Sequence, residues 1–348
     1  MKRSTFTSLF LSLFLSLIFI GCSKNEQKKE EQAPPTLDQR AKSTKIPILI
    51  DTDANNELDD QHALAYAFFN GDVFDVVGVT VNVTNNGGGI EEQFEEAERV
   101  MQLCGVEGKI PLYSGASASF EEIRSSINDA NYDGSDAVEF IIAEARKLRK
   151  QKLVLLPVGK LTNIALALIK APDIKDKVRI VWLGSNYPEP GEYNLENDIP
   201  SMNYILDQDV PFEMVMVRYG KSSGSDAVRA TPAEIADKMP GAGPTSEPIE
   251  GRHGGAFTNF GDYAVDLFEH IDLHGNPPSR ALFDMVAVAI VKNPSWGEAN
   301  EIPAPIMVEK KWEERPENER SIIIWENFDS PAITEDFYET MAEPVIAE

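Results

Sequence analysis

Cysteine is scarce in this 348-residue chain. There are two, Cys22 and Cys104. Only Cys104 lies in the part with a globular composition, so an intradomain disulfide framework is excluded. Cys104 follows Ala97, Val100 and Met101 at helical spacing and reads as a small core residue. Histidine is almost as rare, at four, and no Cys/His cluster has the spacing of a zinc site. Basic residues are outnumbered, 32 Lys and Arg against 57 Asp and Glu, for a formal charge of −25. That balance excludes nucleic acid and an anionic membrane surface as electrostatic partners. The longest apolar run, near the N-terminus, is short for a membrane-spanning helix. No internal repeat is present. What the chain does have is 42% hydrophobic and 9% aromatic residues, enough for a sizeable core.

Lys2 and Arg3 precede the apolar run at 6–20, which ends at Gly21-Cys22. Residues 1–21 therefore read as a signal peptide. The ending Phe19-Ile20-Gly21-Cys22 resembles a bacterial lipobox, with an aromatic residue where aliphatic ones are usual. That resemblance implies lipidation of Cys22. The chain would then be an exported, membrane-anchored lipoprotein on the periplasmic or cell-surface side. Its contact with the membrane would be through the lipid alone. After Cys22, residues to 44 are mostly Lys, Glu, Gln and Pro. The segment 22–44 reads as the lipidated cysteine and a disordered tether, and 45–348 as a single domain.

Within 45–348, strands and helices alternate. Apolar runs mark strands at 46–50, 76–81, 110–113, 153–158, 178–183 and 212–217. Helical spacing marks 60–69, 90–104, 137–148 and 161–170. This order implies an α/β fold with a doubly wound, mostly parallel central sheet and flanking helices. Residues 219–259, rich in Gly, Ser and Pro, read as mobile loops around one short helix at 232–238. Helices at 262–270, 281–291 and 334–341 and a strand at 320–325 complete the expected elements.

The first strand empties into Asp51-Thr52-Asp53-Ala54-Asn55-Asn56-Glu57-Leu58-Asp59-Asp60. Open parallel sheets bind ligands at the carboxyl ends of their strands. Five acids packed together repel unless a cation neutralises them. Hard oxygen donors in a flexible loop suit Ca²⁺ better than zinc. A solvated turn capping the following helix accounts for Asp59 and Asp60, but not for Asp51 and Asp53. Asp284 sits inside the apolar helix Ala281-Leu282-Phe283-Asp284-Met285-Val286-Ala287. A carboxylate there must be paired or coordinated.

Asp51-Thr52-Asp53 with Asp59-Asp60 resembles the N-terminal aspartate signature of the inosine-uridine type nucleoside hydrolases. Here the intervening loop is two residues longer and lacks the family's Pro-Gly turn. Other segments follow in the family's order: Gly78-Val79-Thr80-Val81 leading to Asn85; Ile110 to Ala116; Val158-Gly159-Lys160-Leu161-Thr162-Asn163; Glu192-Tyr193-Asn194; and Phe283-Asp284-Met285-Val286-Ala287. The resemblance implies Ca²⁺ held by Asp53, Asp60, Asp284 and the Val158 carbonyl. It makes Asp53 the base that activates water, with Asp51 a weaker candidate, and places Asn85, Asn186, Glu192 and Asn194 on the ribose. The implied reaction is hydrolysis of an N-ribosidic bond in a small-molecule nucleoside, giving ribose and base. Thr162 and Asn163 read as a helix cap. The family's leaving-group histidine is replaced by Phe283. His62 and His270 read as helix-surface residues, leaving His253 and His274 as candidate acids, and Tyr263 or Trp312 to stack on a base. Two alternatives stay open: a calcium-dependent hydrolase of another glycoside, and a non-catalytic, lipid-anchored protein that binds a ribosyl ligand. A homo-oligomer is compatible with the sequence.

Overall fold

The computed structural model describes residues 45–348. The signal segment, Cys22 and the tether lie outside the described residues. Fourteen strands run along the described chain: β1 (Ile46–Thr52), β2 (Phe74–Val81), β3 (Leu112–Ser114), β4 (Leu153–Pro157), β5 (Val178–Leu183), β6 (Phe212–Val215), β7 (Arg229–Ala230), β8 (Ile249–Glu250), β9 (Ala256–Phe257), β10 (Arg280–Ala281), β11 (Glu298–Pro303), β12 (Ile306–Val308), β13 (Lys311–Glu313) and β14 (Ser321–Glu326). Eight of them form one sheet in the order β11-β14-β6-β5-β4-β1-β2-β3. Neighbours pair in parallel except at the β11 edge, which is antiparallel to β14.

The sequence of β1 shows why the sheet is covered on both faces. Ile48 and Ile50 join one core cluster and Leu49 the other. A parallel strand flanked by helices on both sides needs apolar residues at every position. From β1 the chain builds outward through β2 and β3, then returns to β4 and builds the other way through β5 and β6. The crevice between β1 and β4 is therefore the topological switch point, where such sheets bind ligands. Asp51 is in register with Pro157 there, and the Val158 N–H donates to the Asp51 carbonyl at 2.8 Å.

Most expected elements are present with ends shifted by a few residues. Two shifts matter for the site. Helix Asp59–Phe68 starts one residue earlier than expected, and helix Phe283–Lys292 two residues later, so Asp284 lies in its first turn. These two helices pack against each other. All ten residues of Asp59–Phe68 are buried, which corrects the expectation for His62. That imidazole is fully buried among Phe260, Phe268 and Phe337, with Nδ1 2.6 Å from the Leu58 carbonyl. Burial lowers its pKa to about 4.

Residues 219–259 hold the expected helix Pro232–Lys238, but also β7 and the β8–β9 hairpin. Strand β11 was not visible in the sequence because Glu298-Ala299-Asn300-Glu301-Ile302-Pro303 is an exposed edge with no apolar run. The β12–β13 hairpin and the helices Tyr193–Asn197 and Ile199–Leu206 were likewise unmarked.

Candidate active site

At the switch point, the end of β1 delivers Asp51 and Asp53, and the helix that follows delivers Asp59 and Asp60. From far along the chain, Asp284 arrives at the start of its helix. Carboxylate oxygens of Asp59, Asp60 and Asp284 lie within 4.8 Å of one another, and all three residues are buried. Asp59 accepts hydrogen bonds from the backbone N–H groups of Phe283 and Asp284. It thus sits at the positive end of that helix rather than serving as a cap for its own. The Thr52 hydroxyl and the Asp53 N–H both donate to Asp60.

Electrostatics make this cluster costly in the absence of an ion. Burial, followed by the like charges of Asp53 and Asp59, drives the Asp60 carboxyl well above its usual range. Asp284 is raised in the same way, and the charges facing it, Asp59, Asp60, Asp53 and Glu192, are all negative. Burial pushes Asp59 to about 7 and Asp53 to about 6. Converging, desolvated oxygen donors of one sign fit a divalent cation that takes hard ligands. Asp60 and Asp284 would hold it, with Asp59, Asp53 and the Val158 carbonyl beside them.

Asp53 is held from two sides. The Thr84 hydroxyl donates to its Oδ2, and Oδ1 lies against Gly159. A Cβ built at Gly159 would fall 2.5 Å from Asp53 Oδ1, so only glycine leaves room. The Trp182 indole N–H fixes Gly159 through its carbonyl at 2.9 Å. Gly159→Ala is expected to displace the Asp53 carboxylate and lower kcat by about 10²-fold, as steady-state kinetics would show. An unchanged kcat would mean that the position of Asp53 is immaterial.

Asp51 sits deeper and does not line the cavity. Its carboxylate accepts from Thr80 Oγ1 (2.6 Å), Asn163 Nδ2 (2.7 Å) and Asn82 Nδ2 (3.0 Å). It is a buried anchor that ties the end of β1 to the end of β2 and to helix Thr162–Lys170. Asn163 is correspondingly not a helix cap. Its amide also donates to the Val81 carbonyl (3.0 Å), and its carbonyl accepts from Ala116 N–H (2.9 Å). The Thr162 hydroxyl donates to Asp198.

A cavity of about 820 Å³ opens over these carboxylates. Glu192 and Asn194, which the family resemblance places on the ribose, are among the residues that line it. Both are also structural. Glu192 accepts from the N–H groups of Ser185 (2.8 Å), Asn194 (2.9 Å) and Leu195 (2.8 Å), capping helix Tyr193–Asn197. The Asn194 amide donates to the Val158 carbonyl at 2.7 Å and the Leu183 carbonyl at 3.2 Å. Asn186 and Asn85 are not among the lining residues. The Asn186 side chain bonds Gly191 O and Tyr219 N within the loop. Asn85 is exposed, with its N–H on Asn197.

The outer part of the cavity was not legible in advance. Tyr219 and Phe283 meet edge-on with centroids 5.7 Å apart. Arg280, paired with Glu57, and Arg229 line one wall. His274 is the histidine that lines the cavity. Tyr263 is buried with its hydroxyl on Glu96, and Trp312 packs against Tyr187, so neither faces this space.

An open parallel sheet that gathers buried carboxylates under a large cavity at its switch point defines an α/β protein with a cation-demanding ligand site. Comparison with known proteins supplies the rest. The sequence profile described as "Inosine-uridine preferring nucleoside hydrolase" matches residues 48–334. The fold is similar to that of a plant nucleoside hydrolase (TM-score 0.65, 16% identity, 86% of this chain and 99% of that one). It is also similar to a purine-preferring ribonucleoside hydrolase from Gardnerella vaginalis (TM-score 0.61, 21% identity, 85% and 98%) and an inosine-uridine preferring nucleoside hydrolase from Bacillus anthracis (TM-score 0.61, 14% identity, 86% and 99%). An uncharacterized protein of Schizosaccharomyces pombe is 26% identical over 193 residues, 48% of this chain and 60% of that protein's length. The chain belongs to the inosine-uridine preferring nucleoside hydrolase family. It is a hydrolase acting on N-glycosyl compounds, in a metal-dependent family, and the Asp-rich site is present.

Proposed function

We propose that this enzyme hydrolyses the N-ribosidic bond of a ribonucleoside with Ca²⁺ as its ion, releasing ribose and free base. The observation that carries this reading is the buried Asp59, Asp60 and Asp284 triad beside Asp53 on the floor of a cavity with ample room for a nucleoside. Bound there, Ca²⁺ supplies a charge that grips ribose hydroxyls and acidifies a water molecule. The protein's own groups do the rest. Asp53, oriented by the Thr84 hydroxyl beside the ion's place, is positioned to take a proton from that water. The water oxygen bonds to the anomeric carbon as the bond to the base nitrogen breaks, and the base departs with that electron pair. Both amide protons of Asn194 are committed to backbone carbonyls, which leaves its side-chain oxygen for a sugar hydroxyl. Glu192 is held rigidly by three N–H groups, which favour its ionised form against the burial that raises its carboxyl to about 7, so it needs no reorganisation to face the developing positive charge on the sugar.

Phe283 and Tyr219 supply the apolar surface for a base. With Phe283 unable to donate a proton, His274 at the cavity mouth is the group to protonate the leaving base. His253 does not line the cavity.

A panel of inosine, uridine and cytidine against other glycosides, with and without Ca²⁺, tests the reading. Release of free base that stops on chelation and returns with Ca²⁺ supports it. Turnover of other glycosides alone, or binding of ribonucleosides without turnover by the intact enzyme, would overturn it.

The chain is further proposed to be exported and anchored through a lipidated Cys22. Resistance of membrane association to Cys22→Ser would overturn that.

A further inference from the structure

We propose that the chain carries a second metal site, separate from the carboxylate centre, in which His253, His270 and Asp266 bind a transition-metal cation of the Zn²⁺ type. The chain has four histidines, and two of them meet at one carboxylate. Asp266 and His270 are one turn apart on helix Phe260–Glu269 and its C-terminal end. His253 comes from the tip of the β8–β9 hairpin. There Gly254 and Gly255, both at positive φ, let the chain reverse within the residues between the strands.

The distances are those of a coordination shell. His253 Nδ1 lies 3.2 Å from Asp266 Oδ2, and His270 Nδ1 lies 3.4 Å from Asp266 Oδ1. One ligand atom from each of the three residues falls within 4.8 Å of the others. Zinc bonds of about 2.0–2.1 Å in a tetrahedron put neighbouring ligand atoms about 3.3 Å apart. The two imidazoles are stacked with centroids 4.3 Å apart, so protonating both would set two like charges face to face. A metal ion between the Nδ1 atoms and the carboxylate removes that conflict and needs only neutral rings. Without an ion, His270 Nδ1 is 2.8 Å from the Asp266 carbonyl. Coordination replaces that hydrogen bond by moving the proton to Nε2. All three side chains are partly open to solvent, which gives the ion a path in and leaves room for water as a fourth ligand.

The donor set separates this site from the other one. Two imidazoles and a carboxylate favour Zn²⁺, Ni²⁺ or Cu²⁺, whereas the all-oxygen centre favours harder ions. Occupancy would also tie the hairpin to the helix. Arg252, next to His253, donates to the Glu57 carbonyl at 3.2 Å, and Glu57 lines the cavity. The second site therefore sits one residue from a contact on the rim of the first.

Zn²⁺ titrated calorimetrically into the full chain under saturating Ca²⁺ tests the assignment. One Zn²⁺ per chain is expected. His253→Ala and His270→Ala should each weaken it by about tenfold or more, with melting temperatures near wild type because both side chains are partly exposed. Asp284→Asn should leave Zn²⁺ binding unchanged. No saturable Zn²⁺ uptake would overturn the proposal, as would uptake that survives both histidine substitutions or is lost with Asp284→Asn.

Discussion

Asp284→Asn is expected to reduce ribonucleoside hydrolysis by about 10³-fold or more, while raising the melting temperature of the chelated protein. The two effects have one cause. The carboxylate faces only negative neighbours, Asp59, Asp60, Asp53 and Glu192. With an ion bound, its charge is what the ion needs. Without one, burial and the like charges around it force the group to take up a proton to stay in its desolvated pocket, which costs folded stability. Asparagine keeps the shape and removes the charge, so the fold is relieved while the chemistry is lost. Kinetics and thermal unfolding of the same variant read both. A variant that loses activity and also unfolds at lower temperature without metal would mean that Asp284 is a structural residue paired elsewhere.

Chelation should make stability depend on pH in a direction opposite to ordinary acid denaturation. Burial raises the folded-state values of Asp53 to about 6 and of Asp51 and Asp59 to about 7. The unfolded chain titrates near 3.8. Below that value both states are protonated and these groups cost nothing. As pH rises, the unfolded chain gives up its protons first, so the folded state holds more and loses stability with each further unit. For these three groups the loss begins above about 4 and runs to about 7, and Asp60 and Asp284, raised further, extend it to higher pH. Ca²⁺ should therefore raise the melting temperature strongly at neutral pH and little near pH 4, where protonated carboxyls do not bind it. Scanning calorimetry across that range, with and without Ca²⁺, reads the difference. An equal Ca²⁺ effect at both ends would contradict the cluster as the binding site.

Much of this site was legible before any coordinates. The apolar run at 46–50 ending in paired aspartates placed a carboxylate cluster at a strand end, and a lone aspartate in an apolar helix marked Asp284. These signals are local. What the sequence hid depends on how distant segments meet. Asp59 looked like a helix cap, yet it faces the N-terminus of a helix far along the chain. Asn163 read as a helix cap, yet with Thr80 and Asn82 it supplies the donors that let Asp51 stay buried. Asn85 was placed by the family resemblance of the segment after β2, but it is exposed, and the neighbouring Thr84 faces Asp53. The helix around His62 has no continuous polar face buried by pattern alone. Packing against Phe260, Phe268 and Phe337 hides it. His253 and His270 show no metal-ligand spacing in sequence because one of them is carried by a hairpin.

The most direct measurement is anomalous scattering from crystals of the protein grown with Ca²⁺. One strong peak is expected at the switch point, about 2.3–2.6 Å from carboxylate oxygens of Asp60 and Asp284 and from the Val158 carbonyl. A cavity floor without that peak, in crystals where Ca²⁺ is bound elsewhere, would contradict the central claim.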